Sequence, residues 1–213
     1  MEPKDGSARG DHGDPRSWDE KWRDPSFSPP WNIEDVAAPV RAAVEDGWLR
    51  GRTLLDVGCG LGVHSAWLAG RGFQVLGIDI APEVIARARA RWKGRERLAF
   101  EVVDATAPWT PPGSFDAILD RGCLHGINQP RRPRYAHNLI SWASWTCRFL
   151  LLVRAPGEAM AEWTEEVRGL FSPAFDLVDA RRVAEEGPAS DEPPPRAAYR
   201  LVRRLGPFRV NQS

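Results

Sequence analysis

Asp56, Gly58, Gly60, Gly62 and Asp79 fall within one stretch, TLLDVGCGLGVHSAWLAGRGFQVLGID, at 53–79. Three glycines at alternate positions follow an apolar run that ends beside a carboxylate. Such residues let the backbone turn sharply and let a ligand approach without meeting a Cβ. Asp79 closes a second apolar run about 20 residues after the first glycine, the spacing at which a carboxylate reaches the hydroxyls of a ribose.

Two ligand classes use a turn of this kind. A dinucleotide takes it through GxGxxG, whose last glycine lets helix and strand pack closely. Here the spacing is GxGxG, followed by Val63 and preceded by Asp56. A carboxylate there suits a ligand with an ammonium group and repels a pyrophosphate. S-adenosylmethionine carries an α-amino group, a ribose and an adenine in the matching order. The alternative is a tight turn with no ligand, and three coincident features weigh against it.

Methyl transfer from a sulfonium is an in-line displacement, so the protein must chiefly align the groups and exclude water. A thiolate acceptor needs no general base. An amine or hydroxyl acceptor gains from one, by roughly 10²–10⁴-fold. Asp104, ending VVD, is placed to accept from an adenine amino group, although a strand-end Asp also serves as a helix cap. Asp120, ending ILD, is expected to face the methyl group; a buried ion pair with Arg121 is its structural alternative. His125 is the candidate base, against a hydrogen-bonded structural role. Arg121 and Arg154 are expected at strand ends facing the cleft, suited to an anionic or carbonyl-bearing acceptor. Cys123 reads as a small packing residue. Trp142, Trp145 and Trp163 read as helix packing, with Trp163 also a candidate to touch the acceptor. The run RRPR at 131–134 reads as a solvated patch.

The elements that must position these residues alternate. Strands are predicted at 53–57, 74–79, 98–104, 115–120 and 149–155, and helices at 33–50, 62–71, 82–93, 131–147 and 158–171. Two further strands, 175–183 and 196–205, flank the loop GPASDEPPP and should pair antiparallel. This order predicts a doubly wound α/β fold with an open, mostly parallel sheet. Ligands in such sheets sit at the carboxyl ends of the strands. Residues 1–16 and 207–213 read as tails, the first of them disordered. Residues 17–50 form a Trp-rich lid and a helix, and 51–206 the core.

The chain has 213 residues, with 29 basic and 29 acidic side chains. That balance gives no bulk attraction to nucleic acid or an anionic membrane. Cys59, Cys123 and Cys147 show no short paired spacing, so neither a disulfide framework nor a metal site is expected. The polar start has no apolar signal region, and the run FLLLV is too short to span a bilayer. A cytoplasmic protein is expected.

LLDVGCGLG with IDIAP resembles the class I S-adenosylmethionine-dependent methyltransferases, whose sheet has seven strands, the last antiparallel. More narrowly, WDEKW…PPWN (18–32), FDAILDRGCLHGINQPRRPRYAHNL (115–139) and the direct run TCRFLLLVRAP resemble the thiopurine methyltransferase superfamily, which includes thiol, halide and tellurite-type enzymes. The likeness covers about 17–205. It implies that Asp56, Gly58, Gly60 and Gly62 line the methionine end of the cofactor. Asp79 holds the ribose, Ile80 packs on adenine, and Asp104 and Ala105 meet its edge. Trp18, Trp22 and Trp31 lid the cofactor. Asp120 and Arg121 border the acceptor. Departures lie at the end of strand five (VRAP) and in the short helical segment 156–170, both on the acceptor side. The expected function is methylation of a small-molecule heteroatom, with sulfur favoured and S-adenosylhomocysteine as the product. The alternatives are an N- or O-methyltransferase of a specialised metabolite and a non-catalytic cofactor-binding module. A nicotinamide dehydrogenase is disfavoured by GxGxG and by the absent second mononucleotide half. A monomer or weak dimer is expected.

Overall fold

A computed structural model of the chain describes residues 15–27, 29, 35–155, 159–183 and 196–205. Seven strands form one sheet: β1 (Thr53–Val57), β2 (Gln74–Asp79), β3 (Leu98–Val102), β4 (Phe115–Arg121), β5 (Ala143–Arg154), β6 (Phe175–Val183) and β7 (Arg196–Arg203). Their spatial order is β3-β2-β1-β4-β5-β7-β6. β1 to β5 are mutually parallel, and β7 enters between β5 and β6, antiparallel to both. This is the doubly wound, Rossmann-like arrangement expected, with one reversed strand.

The central strands are apolar on both faces because both faces are covered. Leu55, Val57, Ile118, Phe149 and Leu151 point to one side, where they meet Tyr135 and Leu139 of α5 (Arg132–Trp142) and Val167 and Phe171 of α6 (Ala159–Phe171). Their neighbours Leu54, Ala117, Leu119, Leu150 and Leu152 point to the other. There they meet Val40 and Ala43 of α2 (Ala38–Glu45) and Leu68 of α3 (Val63–Ala69). A third cluster joins Val84, Ile85 and Ala88 of α4 (Pro82–Arg91) to Phe100 and to Trp22 of α1 (Pro15–Arg23).

Three boundaries differ from expectation. The helix predicted over 33–50 shortens to α2, with Pro39 in its first turn, where a missing N–H costs nothing. Ile33 lies outside the described residues. The helix predicted over 131–147 ends at Trp142, and 143–147 open β5 instead. Ala143 pairs with Phe115, and Ser144 Oγ donates to Asp116 at 3.2 Å. Trp145 is therefore an exposed strand residue with the Arg203 guanidinium over its ring, and not helix packing. Trp142 is buried, edge-on to Trp109. The first helix begins at Pro15, inside the segment expected to be disordered; residues 1–14 and 206–213 lie outside the described part.

β1 and β4 are neighbours, while the chain runs outward from β1 through β2 to β3 and from β4 to β5. The order of strands reverses between β1 and β4, and in sheets of this kind ligands bind outside the carboxyl ends of the strands at such a point. Val57 and Asp120 lie side by side at that point. Among the described residues no helix is long and apolar enough to cross a membrane.

Candidate cofactor and acceptor site

The glycine turn follows β1, and its three glycines do different work. At Gly58, with φ +68°, an added Cβ would lie 2.8 Å from Cβ of Cys123. At Gly62, φ +74°, it would lie 2.4 Å from the Phe100 ring. At both positions the Cβ direction is filled by protein, so packing as well as backbone conformation requires glycine there. Gly60 differs: at φ +55° a Cβ there would meet nothing within 4 Å. The open face of the turn is at Gly60.

Asp79 ends β2 beside it, half-buried. One carboxylate oxygen accepts the Gly60 N–H at 3.0 Å and the other the Ala81 N–H at 3.1 Å. Each oxygen retains acceptor capacity beyond one N–H. Burial holds this carboxyl above its ordinary value, and the backbone donors work against that. Asp56, at 3 % exposure, lies deeper. Ser65 Oγ donates to it at 2.5 Å. Burial pushes its pKa up to about 7, with the nearby Asp120 adding to the rise and Arg121 opposing it. A half-exposed carboxylate beside an open glycine, with a second carboxylate behind, fits a ligand that presents hydroxyls and a cation.

Asp104 is committed to its own loop. It accepts from the Thr106 N–H at 2.9 Å and hydroxyl at 2.7 Å, and pairs with Arg131 at 2.5 Å. Ala105 is buried, and its carbonyl accepts from Asn138 of α5 at 2.9 Å. Arg131 thus ties the β3 loop to the start of α5 instead of forming part of a solvated RRPR patch. Ile80 is half-buried at the end of β2.

Asp120 departs furthest from expectation. It has no exposed surface, and it accepts the Cys123 and Leu124 N–H groups at 2.7 and 2.9 Å and the Tyr135 hydroxyl. A carboxylate enclosed by its own donors cannot touch an acceptor; it anchors the 3-10 turn Leu124–Gly126 and α5 to the end of β4. Burial raises its pKa to about 6, against the pull of those donors. His125 lies in that turn. Its Nδ1 accepts the Arg154 N–H at 3.3 Å, so the neutral ring carries its proton on Nε2. Burial and then the charges of Arg196, Arg154, Arg132 and Arg121 lower its pKa to about 3. With its acceptor nitrogen engaged and little basicity, His125 is placed as a spacer between β4 and β5 rather than as a base.

Arg121 and Arg154 end β4 and β5, the first half-buried and the second exposed, as the sequence places them. The sequence does not single out Arg196. It opens β7 opposite Arg154, is 6 % exposed, and sits beside Gly122 and the His125 ring. Trp163 stacks under Arg132, whose Nη1 donates to both carboxylate oxygens of Glu166 at 2.8 Å, so α6 closes the far side of the turn.

α1 bridges α4 and the turn after β4. Asp19 accepts the Glu83 N–H at 2.9 Å, capping α4, and Trp22 is buried against α4. Trp18 reaches the other side, 3.7 Å from where a Gly126 Cβ would stand. Trp31 lies outside the described residues. Among the described residues no group of three His, Cys, Asp or Glu is disposed to hold a metal.

Residues 54–143 match the family model described as Methyltransferase domain. The chain is 29 % identical over 127 residues to the 2-heptyl-1-hydroxyquinolin-4(1H)-one methyltransferase of Mycobacteroides abscessus, covering 59 % of this chain and 56 % of that protein. It spans about half the length of the curated relatives it matches first. Among solved structures, "Conversion of a Disulfide Bond into a Thioacetal Group during Echinomycin Biosynthesis" aligns with a TM-score of 0.74 at 24 % identity, over 88 % of this chain and 91 % of that one. The Burkholderia thailandensis 1,6-didemethyltoxoflavin-N1-methyltransferase, with 1,6-didemethyltoxoflavin and S-adenosylhomocysteine bound, aligns with a TM-score of 0.67 at 22 % identity, over 88 % and 84 %. At these identities the two structures speak to the fold. Over residues 54–143 the chain is thus similar to a methyltransferase domain, and its sheet has the Rossmann-like order of the class I fold.

Proposed function

We propose that the protein is an S-adenosylmethionine-dependent methyltransferase acting on a heteroatom of a small molecule. The observation that carries this is the open face at Gly60 with Asp79 beside it, at the strand-order reversal. When bound, S-adenosylmethionine supplies an electrophilic methyl on a sulfonium that departs as the thioether S-adenosylhomocysteine. The chain's own residues bind and orient. Asp79 takes the ribose hydroxyls, with Ile80 against the adenine and Ala105 at its edge. Asp56 faces the ammonium group through the turn. Asp104 acts on the adenine side by holding its loop in place with Arg131. Trp18 and Trp22 hold α1 over the cofactor and keep water out. Arg121, Arg154 and His125 border the acceptor.

Sulfur is the favoured acceptor atom, supported by the sequence likeness to thiopurine methyltransferases at DRG and the Trp-rich segment. The geometry adds support, because Asp120 is sealed and His125 is engaged, so an acceptor that ionises by itself suits the site. That reasoning also admits an acidic hydroxyl, and the named activity of the Mycobacteroides relative favours this as the second reading.

Calorimetric titration tests the proposal. S-adenosylmethionine should bind and a nicotinamide dinucleotide should not. Asp79→Ala should weaken the binding by about 10-fold or more, as expected for lost hydrogen bonds to a charged group. Unchanged affinity in Asp79→Ala would remove the ribose assignment, and binding of neither ligand would leave the turn structural.

A further inference from the structure

A cavity of about 300 Å³ lies between the end of α4 and the edge strand β3. Arg89, Trp92, Lys93, Arg95, Leu98 and Phe100 line it. Three cations therefore converge on a wall that is otherwise aromatic and aliphatic. Arg89 donates through Nε and Nη2 to the Phe100 carbonyl, at 3.0 and 2.6 Å. Arg95 donates through Nη2 to the Ala66 carbonyl at 3.4 Å. These bonds orient the two guanidiniums, but a carbonyl carries no charge, so neither cation is neutralised by them. Each guanidinium has five N–H donors and keeps some to spare. Lys93 is exposed. Glu83, on the same helix, is taken by Arg87 at 2.7 Å. Arg89 lies in the last turn of α4, where a cation suits the helix dipole. Lys93 and Arg95 lie beyond that turn, on either side of Gly94, whose φ is +78°. The helix end therefore does not account for them. The cavity also backs onto the glycine turn: Trp92 Nε1 donates to the Leu61 carbonyl at 2.8 Å, and the Phe100 ring fills the Cβ direction of Gly62.

We propose that this cavity is a second ligand site, which takes a small phosphate ester. Its phosphate meets Arg89, Lys93 and Arg95, and its apolar body rests on Trp92 and Leu98. Guanidinium suits a phosphate because its donors form a rigid fork, and an ammonium adds a point charge on a flexible stem. The half-buried Trp92 and Leu98 offer apolar surface that a bare inorganic anion would leave uncovered. A volume of about 300 Å³ is at the small end of ligand pockets, which fits one small molecule. The site is separate from Gly60 and Asp79, and it does not depend on what binds there. A ligand against Trp92 does press on the wall that holds Leu61 and Gly62, so the two sites share a partition.

Phenyl phosphate, inorganic phosphate and benzyl alcohol are the probes: the first carries both charge and apolar body, the others one each. The measurement is the change in amide and indole NMR shifts of the full, ¹⁵N-labelled chain as each is added at constant ionic strength. Phenyl phosphate should shift the amides of 92–100 and the Trp92 indole, and should bind more tightly than either of the other two. K93Q and R95Q should each weaken it about threefold, the size of one exposed charge pair. Lys93 is an exposed side chain that folding does not require, so K93Q decides alone if R95Q does not fold. Shifts centred on Gly58–Gly62 or on the turn after β4 would overturn the proposal, because the phosphate would then sit in the site already described. So would equal affinity for phenyl phosphate and benzyl alcohol, or an affinity that the variants leave unchanged. Binding of phenyl phosphate no tighter than that of inorganic phosphate would overturn the ester and its apolar body.

Discussion

Asp56 places a carboxylate where water does not reach, held by the Ser65 hydroxyl and raised to about 7 chiefly by burial. Two pH effects follow, of opposite sense. For the protein alone, the folded state keeps a proton on Asp56 that the unfolded chain releases at its ordinary value of 3.8. Stability from this group is therefore full below the ordinary value and falls as pH rises toward about 7. For cofactor binding the sign reverses. An ammonium group nearby favours the ionised carboxylate, so binding expels the proton, and affinity should rise with pH up to about 7. It should fall again above roughly 8, where an α-amino group loses its own charge. Titration at pH 6.5 in two buffers of different ionisation enthalpy should show proton release, and Asp56→Asn should abolish it. No proton release would place the ammonium away from Asp56. The glycines carry a second residue-scale lesson. Their number was legible in the sequence, but their division of labour was not. Gly58 and Gly62 are closed by Cys123 and Phe100, residues about 40 to 65 positions away, and no local pattern reports such contacts.

At the scale of elements, the end of β4 and the start of α5 form one latch. Tyr135 of α5 donates to Asp120, which also gathers the N–H groups of the 3-10 turn. Asn138 reaches the carbonyls of Ala105 and Ala107, both at 2.9 Å, joining the β3 loop to the same helix. Tyr135→Phe should destabilise the fold by about 1–3 kcal/mol, because a buried carboxylate loses a donor. The loss should be larger at pH 7.5 than at pH 5, since the hydroxyl bonds to the ionised form and Asp120 titrates at about 6. Urea unfolding at both pH values checks this, and an equal loss would show that Asp120 stays protonated throughout. The strands of this latch were legible from apolar runs, because strands covered on both faces are apolar throughout. The helix boundary at Trp142 was not. Trp145 within 143–147 sits at helical spacing from Trp142, and only pairing with β4 turns these residues into a strand. Non-local pairing also explains Arg196: β7 buries its first residue by entering between β5 and β6, a placement invisible in sequence order.

For the whole molecule, the nine-residue α1 must be held between α4 and the turn after β4. A helix that short is marginal in isolation, so its order comes from docking. Trp22 supplies the apolar contact with α4 and with Phe27, edge-on at 5.3 Å; Asp19 supplies the cap on α4; Trp18 supplies contact with the turn after β4. α1 therefore touches both flanks of the proposed cofactor site, the end of β2 through α4 and the end of β4 through Gly126. A ligand filling the space between adds contacts available only when α1 is docked, so cofactor and helix should stabilise each other. Trp22→Ala should release α1 without unfolding the sheet, since the two clusters on the faces of the central strands do not include it. Hydrogen exchange then separates the possibilities. In the unmodified chain, S-adenosylhomocysteine should slow exchange in α1. In Trp22→Ala, α1 should exchange fast, β1 to β5 should keep their protection, and the cofactor should bind more weakly. If exchange in α1 ignores the ligand while the ligand still binds, α1 is a fixed buttress for α4, and water exclusion must come from residues on the acceptor side.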